Sequence, residues 1–253
     1  MQDYIVRALV SDSVSVYAGI TTKTVEEARK VHQMNPTPCV ALGRTLTGAA
    51  LMSRTLKGED NTITIQIKGD GPIGGIVAVT DAHANVRGYV HNPFFDLPLN
   101  EKGKFDIAGA VGRGYLNVIK DIGLKEPYIG YVDLVSGEIA EDLTYYYASS
   151  EQIPTAMNLG VLIGRGGQVQ AAGGFLVQLL PDTPEDMVAL VEERVSSLPP
   201  ITDLIADGLT PEEIIDSLFH GKTIQNLGTC EVAYRCNCSR ERMERNLLSI
   251  GKK

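Results

Sequence analysis

The first twenty residues alternate: Tyr4, Val6, Ala8 and Val10 fall on one face, Ser11-Asp12-Ser13 supplies turn chemistry, and Val14, Val16 and Ala18 resume the pattern. A period of two with one apolar face predicts a β-hairpin. Thr24 followed three residues later by Glu27 has the spacing of a capping box and predicts a short helix to about His32, ended by Asn35-Pro36. Thr37-Pro38 then offers an N-cap and a first-turn proline for a second helix. In it Val40, Ala41, Leu42, Leu46, Ala49, Ala50 and Met52 recur at helical spacing as far as Lys57-Gly58. Cys39, in that first turn, is expected to be a packed thiol.

From Thr62 the period returns to two, with Ile63, Ile65 and Ile67 on one face and Thr62, Thr64 and Gln66 on the other. Further strands are predicted over 75–79, 86–91, 115–119, 128–135, 139–147 and 168–179, with a hairpin turn at Ser136-Gly137. Few helical patterns interrupt them, so residues 1–180 are expected to form an α+β body of mainly antiparallel sheet with packed helices. Gly69, Gly71 and Gly74 have the formal spacing of a dinucleotide loop. That chemistry needs a helix N-terminus to receive the pyrophosphate, and the stretch that follows, Gly75 to Val79, is strand-like. The glycines therefore predict a turn, and the groups at Gly109 to Gly114 and Gly164 to Gly167 fail the same test. The polar run Tyr145 to Gln152 has no His or Asp placed to make a triad, and its tyrosines are read as amphipathic packing.

Past Pro181 the pattern turns helical. Thr183-Pro184-Glu185-Asp186 opens a helix whose Met187, Val188, Leu190, Val191, Val195 and Leu198 make a stripe, stopped by Pro199-Pro200. Thr210-Pro211-Glu212-Glu213 opens a second, with Ile214, Ile215, Leu218 and Phe219 as its stripe. Helices shorter than roughly 12 to 15 residues are marginal in water. Residues 181–229 are thus expected to be a helical linker that stays folded only while its stripes are packed.

Charge sharpens this division. The chain carries a net −8, distributed as −3 over residues 1–180, −8 over 181–229 and +3 over 230–253. The overall balance argues against nucleic-acid binding, which needs a basic face. An acidic linker beside a basic tail suggests that the two attract one another, as a latch would. With 43% hydrophobic residues the 253-residue chain can bury one large core or two modest ones. No stretch approaches the roughly 18 to 20 apolar residues of a membrane span, so a soluble cytoplasmic protein is expected.

The tail holds the chemistry. Cys236 and Cys238 stand one residue apart among Arg235, Arg240, Arg242 and Arg245. That spacing is too close for a relaxed disulfide but suits two thiolates on one zinc ion, and the guanidinium groups favour thiolate over thiol. The pair is therefore a candidate for metal binding and for oxidation. Cys230 is a possible third thiol, and His220 is the nearest of four scattered histidines to a local fourth ligand. Two other readings stay open: a zinc-ribbon-like nucleic-acid module resting on the basic tail, and a small-molecule enzyme using the glycine turns, for which no catalytic constellation can be named.

Cys236-Asn-Cys-Ser-Arg-Glu-Arg242, with Gly48-Ala-Ala-Leu-Met52, Lys68-Gly-Asp-Gly-Pro-Ile-Gly74, Val86-Arg-Gly-Tyr-Val90 and Tyr146 to Gln152, resembles the heat-shock protein 33 family of bacterial redox-regulated holdase chaperones. The resemblance implies an N-terminal α+β domain, a helical linker and a C-terminal zinc module in which C-x-C and a later C-x-x-C hold one zinc. Cys236 and Cys238 take the ligand and redox roles by this likeness, and residues 230–253 are the start of that module. The sequence stops fifteen residues after Cys238, without the second pair, so a truncated and constitutively unlatched form is expected. Also implied are the absence of enzymatic activity, capture of unfolded client proteins without ATP, and a homodimer when active. The stripe residues Met187, Leu190, Val191, Leu198, Ile214, Leu218 and Phe219 are the candidate client-binding surface.

Overall fold

Two antiparallel sheets face one another across a single buried helix, and the linker helices cover the far side of one of them. The computed structural model describes residues 2–236 and 239–251. In chain order the elements are β1 (Tyr4–Val10), β2 (Val14–Ile20), α1 (Thr22–His32), α2 (Pro36–Ser53), β3 (Thr62–Gly69), β4 (Ile76–Asp81) and β5 (Asn85–Val90). There follow α3 (Ile107–Val111), β6 (Gly114–Asp121), β7 (Tyr128–Asp133), α4 (Ala140–Tyr146) with a π-helical turn (Tyr147–Glu151), β8 (Thr155–Ile163) and β9 (Val169–Leu179). The remainder is α5 (Glu185–Ser197), α6 (Ile201–Ala206), α7 (Pro211–Phe219), β10 (Ile224–Glu231), β11 (Ala233–Tyr234) and α8 (Arg240–Ile250).

One sheet has the order β10-β1-β2-β9-β8, the other β11-β5-β4-β3-β6-β7. Every pairing is antiparallel except β11 on β5. The fold is thus the α+β architecture the alternation predicts. Helix α2 packs on β3, β4 and β5 on one side and on β2, β8 and β9 on the other. Its residues from Thr37 to Ser53 are almost all buried, which is why its apolar positions run round the helix and not along one stripe. Its hydroxyls are satisfied locally: Thr45 Oγ1 donates to Ala41 O at 2.9 Å and Thr47 Oγ1 to Gly43 O at 2.8 Å. Cys39 is fully buried in α2, and burial pushes its thiol up to about 12, so it is a packing residue with little thiolate character.

The glycine motif shows what its spacing is for. A Cβ on Gly69 would lie 1.9 Å from Val111 O, and one on Gly71 would lie 2.4 Å from Ala110 O. The amides of Asp70, Gly71 and Ile73 donate to the carbonyls of Arg113, Val111 and Ala110. In a nucleotide loop such amides face phosphate; here the end of α3 and the residues just after it use them, so the glycines serve close backbone approach.

Several local expectations give way. Residues 139–147, predicted as strand with a hairpin before them, form α4: the Asp142 carboxylate accepts the amides of Val135, Ser136, Gly137 and Ile139 and thereby caps a helix. Strand β8 and helix α6 lie in stretches left unassigned. Helix α1 starts at Thr22, ahead of the expected capping box, because the buried Asp3 carboxylate accepts from the amides of Lys23 and Thr24 at 3.2 and 2.6 Å. Pro36, not Pro38, takes the first helical position of α2, with Asn35 as N-cap. Residues 224–229, placed within the helical linker, are strand and pair with β1.

Glu26 of α1 ties the β8–β9 turn to the body by accepting the Val169 amide at 2.9 Å while paired with Arg29 at 2.8 Å. The Arg29 hydrogen bonds, with help from Val169, bring its pKa from 4.5 down to about 2. A lowered carboxylate pKa contributes stability above its unfolded value and loses it as pH falls toward the folded value. The difference in melting temperature between this protein and Glu26→Gln is therefore expected to be constant at neutral pH and to shrink between about 4.5 and 2. A difference that persists unchanged to pH 2 would show that the ionised carboxylate is not what Val169 and Arg29 require.

Candidate redox and client-binding site

Strands β10 and β11 deliver the tail to its place. β10 adds to the edge of one sheet, with Tyr4 opposite Glu231, and β11 adds to the edge of the other, with Tyr234 opposite Val86. The segment just before the thiol pair therefore bridges both sheets. Val232 N donates to Asp3 O at 3.1 Å and Arg235 N to Val86 O at 2.9 Å. Tyr234 acts as the bolt: its hydroxyl donates to Gly88 O at 3.0 Å, which leaves its oxygen to accept from His32 Nε2 at 2.9 Å. Burial raises the Tyr234 pKa and keeps it a donor.

Cys236 follows directly and is exposed; Cys238 lies outside the described residues. Arg235, Arg240 and Arg245 are exposed as well, and Arg240 Nε pairs with Glu244 at 2.7 Å within α8. Cys230 is half-buried on β10, its Sγ 3.5 Å from His83 O. His220 stands at the end of α7 against Arg194 of α5. The structure does not bring these two to Cys236 as a ligand set, and among the described residues no three His, Cys, Asp or Glu side chains gather to hold a metal. The donor set this chain offers is a pair of thiolates, which fits half of a tetrahedral zinc site.

The stripe residues are all on the other side of the first sheet. Met187, Val191, Ile214, Leu218 and Phe219 are buried, with Leu190 and Leu198 half-buried beside them. They pack on Val6, Ala8, Val10, Val14, Val16, Ala18 and Ile20 of β1 and β2 and on Phe175 of β9, a second core separate from the one around α2. The apolar face that the opening alternation revealed is thus the face that meets the linker. Ile201 and Ile205 of α6 belong to this core too. Their i, i+4 spacing after Pro-Pro was the available signal for that helix. Polar ties accompany the packing: Tyr4 donates to Glu212 Oε2 at 2.7 Å, and Thr183 Oγ1 donates to Ser13 O at 2.9 Å. No described helix is long and apolar enough to cross a membrane.

A profile of the family described as Hsp33 protein matches residues 3–253. The 33 kDa chaperonin of Acetivibrio thermocellus is 58% identical over 253 residues, spanning 100% of this chain and 86% of that protein. The 33 kDa chaperonin of Ruminiclostridium cellulolyticum is 54% identical over 254 residues, spanning 100% and 87%. Among solved structures, the 33 kDa chaperonin (heat shock protein 33 homolog) of Thermotoga maritima superposes with a TM-score of 0.91 at 42% identity, over 98% of this chain and 85% of that one.

Proposed function

The chain belongs to the heat-shock protein 33 family of chaperones, and from that premise we propose that it is a redox-regulated, ATP-independent holdase of the reducing cytoplasm. It binds unfolding proteins and keeps them from aggregating. The observation that carries this reading is the second core, in which short helices cover a continuous apolar sheet face. Helices α5, α6 and α7 have 13, 6 and 9 residues, so none is stable without that face. Release of the linker uncovers both its own stripes and the β1–β2 face, two apolar surfaces suited to exposed segments of a client.

Control lies in the tail. Bound through thiolates, structural zinc contributes roughly 10 to 16 kcal/mol of folding free energy, comparable with the roughly 5 to 15 kcal/mol of a whole domain. Cys236 and Cys238 would supply two of its ligands. Cys236 follows the β10–β11 brace directly, and β10 begins five residues after α7 ends, so order in the tail bears directly on order in the linker. A two-electron oxidant such as a peroxide, itself reduced to water, converts pairs of thiolates to disulfides and so removes that restraint, and the freed surfaces favour a homodimer as well as client capture.

The test is light scattering from a chemically unfolded client diluted into buffer with this 253-residue protein. Suppression without nucleotide is expected. Where metal analysis of the reduced protein finds zinc, suppression is expected to appear only after a peroxide oxidises the thiolates and releases the metal. Scattering no lower than that of the client alone under either condition would overturn the proposal.

A further inference from the structure

The sheet edges of this fold are protected unequally. β11 is two residues long, β10 meets β1 through a register shift at Arg7/Ala8 and ends in Glu231, and β7 ends in Asp133. β8 is different. It is a nine-residue edge strand, Thr-Ala-Met-Asn-Leu-Gly-Val-Leu-Ile, with neither charge nor proline, and its one register shift lies at its far end, at Leu162/Ile163. Edges of that kind are templates for another extended chain unless something covers them.

What flanks β8 is a cleft. Its volume is about 570 Å³, and its floor is the consecutive run Asn158 to Ile163. Volumes of roughly 300 to 1,000 Å³ are those of ligand sites, and a run of six residues is about 20 Å of strand. One wall is Val40 and Arg44 of α2 with Phe105; the other is the turn between α5 and α6, Leu198, Pro200 and Ile201. The charges at the rim balance, Lys104 against Asp203, and Arg44 is already paired with Glu138 at 2.5 Å. A cleft of mixed polar and apolar lining, with balanced charge and an edge strand running along it, complements the backbone of an extended, uncharged chain better than it does an anion.

We propose that β8 is a strand-addition site, at which an extended apolar segment of a client pairs with residues 158–163 in the cleft between α2 and the α5–α6 turn. The inference rests on the holdase reading for the occupant. It adds a backbone-directed subsite to the apolar surfaces beneath the linker. Because one wall is linker, an occupied cleft and a displaced linker are coupled through Leu198 to Ile201.

The probe is a fluorescently labelled hexapeptide of alternating Val and Thr, and two versions of it N-methylated on all Val or on all Thr. In an extended strand, alternate amides point to opposite edges, so one methylated set faces β8 and the other faces away. Loss of three hydrogen bonds worth about 0.5 to 1.5 kcal/mol each is expected to weaken one version by more than about tenfold, with the other little changed. Hydrogen exchange of the full chain with unmodified peptide is expected to slow at residues 158–163. Equal binding by both methylated peptides, protection on the α5–α7 stripes or on β7 without protection of 158–163, or no protection at all would each overturn the proposal. Concentration-dependent protection of 158–163 without peptide would overturn it too, by assigning this edge to a second copy. Client holding that survives without peptide protection at β8 strikes this inference alone. Peptide protection with no client holding strikes the holdase reading instead.

Discussion

Phe219→Ala is expected to destabilise the protein by about 3 to 5 kcal/mol, the usual cost of emptying a buried aromatic site, and to loosen residues 185–219 selectively. Phe219 is 1% exposed and sits at the end of α7 against the β1–β2 face, beside Leu218 and Ile215. The helix has nine residues, a Thr210/Glu213 capping box and a proline in its first turn, so its ends are already well satisfied and packing is what it has to lose. Denaturant unfolding measures the global effect, and limited proteolysis locates it. Cuts within 185–219 should appear at lower protease concentration than cuts in the body. A variant whose linker resists protease as well as the parent would show that the second core does not hold the linker down.

Asp142→Ala is expected to cost a similar amount, about 3 to 5 kcal/mol, for a different reason. Asp142 is fully buried, its Oδ1 accepts the amides of Val135, Ser136 and Gly137 at 2.8, 3.1 and 3.3 Å, and its Oδ2 accepts the Ile139 amide at 3.0 Å. Ile139 is held at φ 69°, a conformation that a β-branched residue adopts only when its surroundings impose it. Without the carboxylate, several buried donors lose their acceptor and nothing holds that turn. Asp142→Asn keeps one oxygen but turns an NH2 toward an amide, so an intermediate loss of about 1 to 3 kcal/mol is expected. Equilibrium unfolding of both variants checks the order. A loss under about 1 kcal/mol for the alanine variant would mean that water satisfies the turn as well as the side chain does.

The same carboxylate explains why residues 139–147 mislead when taken as sequence. Ile139, Thr144 and three tyrosines favour strand by propensity. The helix is imposed by a cap whose acceptor lies inside the helix and whose donors arrive from the preceding turn. Asp3 does the same for α1 from 20 residues away. Position-by-position patterns do not register such pairings, because the partners are distant or run backwards along the chain.

What the amino-acid order settled alone was whatever depends on near neighbours: the period-two strands, the proline-started helices α5 and α7, the acidic linker, and the spacing of Cys236 and Cys238. Rejection of a nucleotide loop at Gly69 to Gly74 also came from near neighbours, since a strand follows where a helix is needed. The three-dimensional arrangement alone decided what the apolar faces meet. Only packing shows that Val6, Ala8 and Val10 face the linker and not α2, that α2 is enclosed on both sides, and that the chain before Cys236 adds a strand to one edge of each sheet. Burial and strand pairing are made between segments far apart in the chain, and their free energy depends on which surfaces meet, a quantity no local window contains.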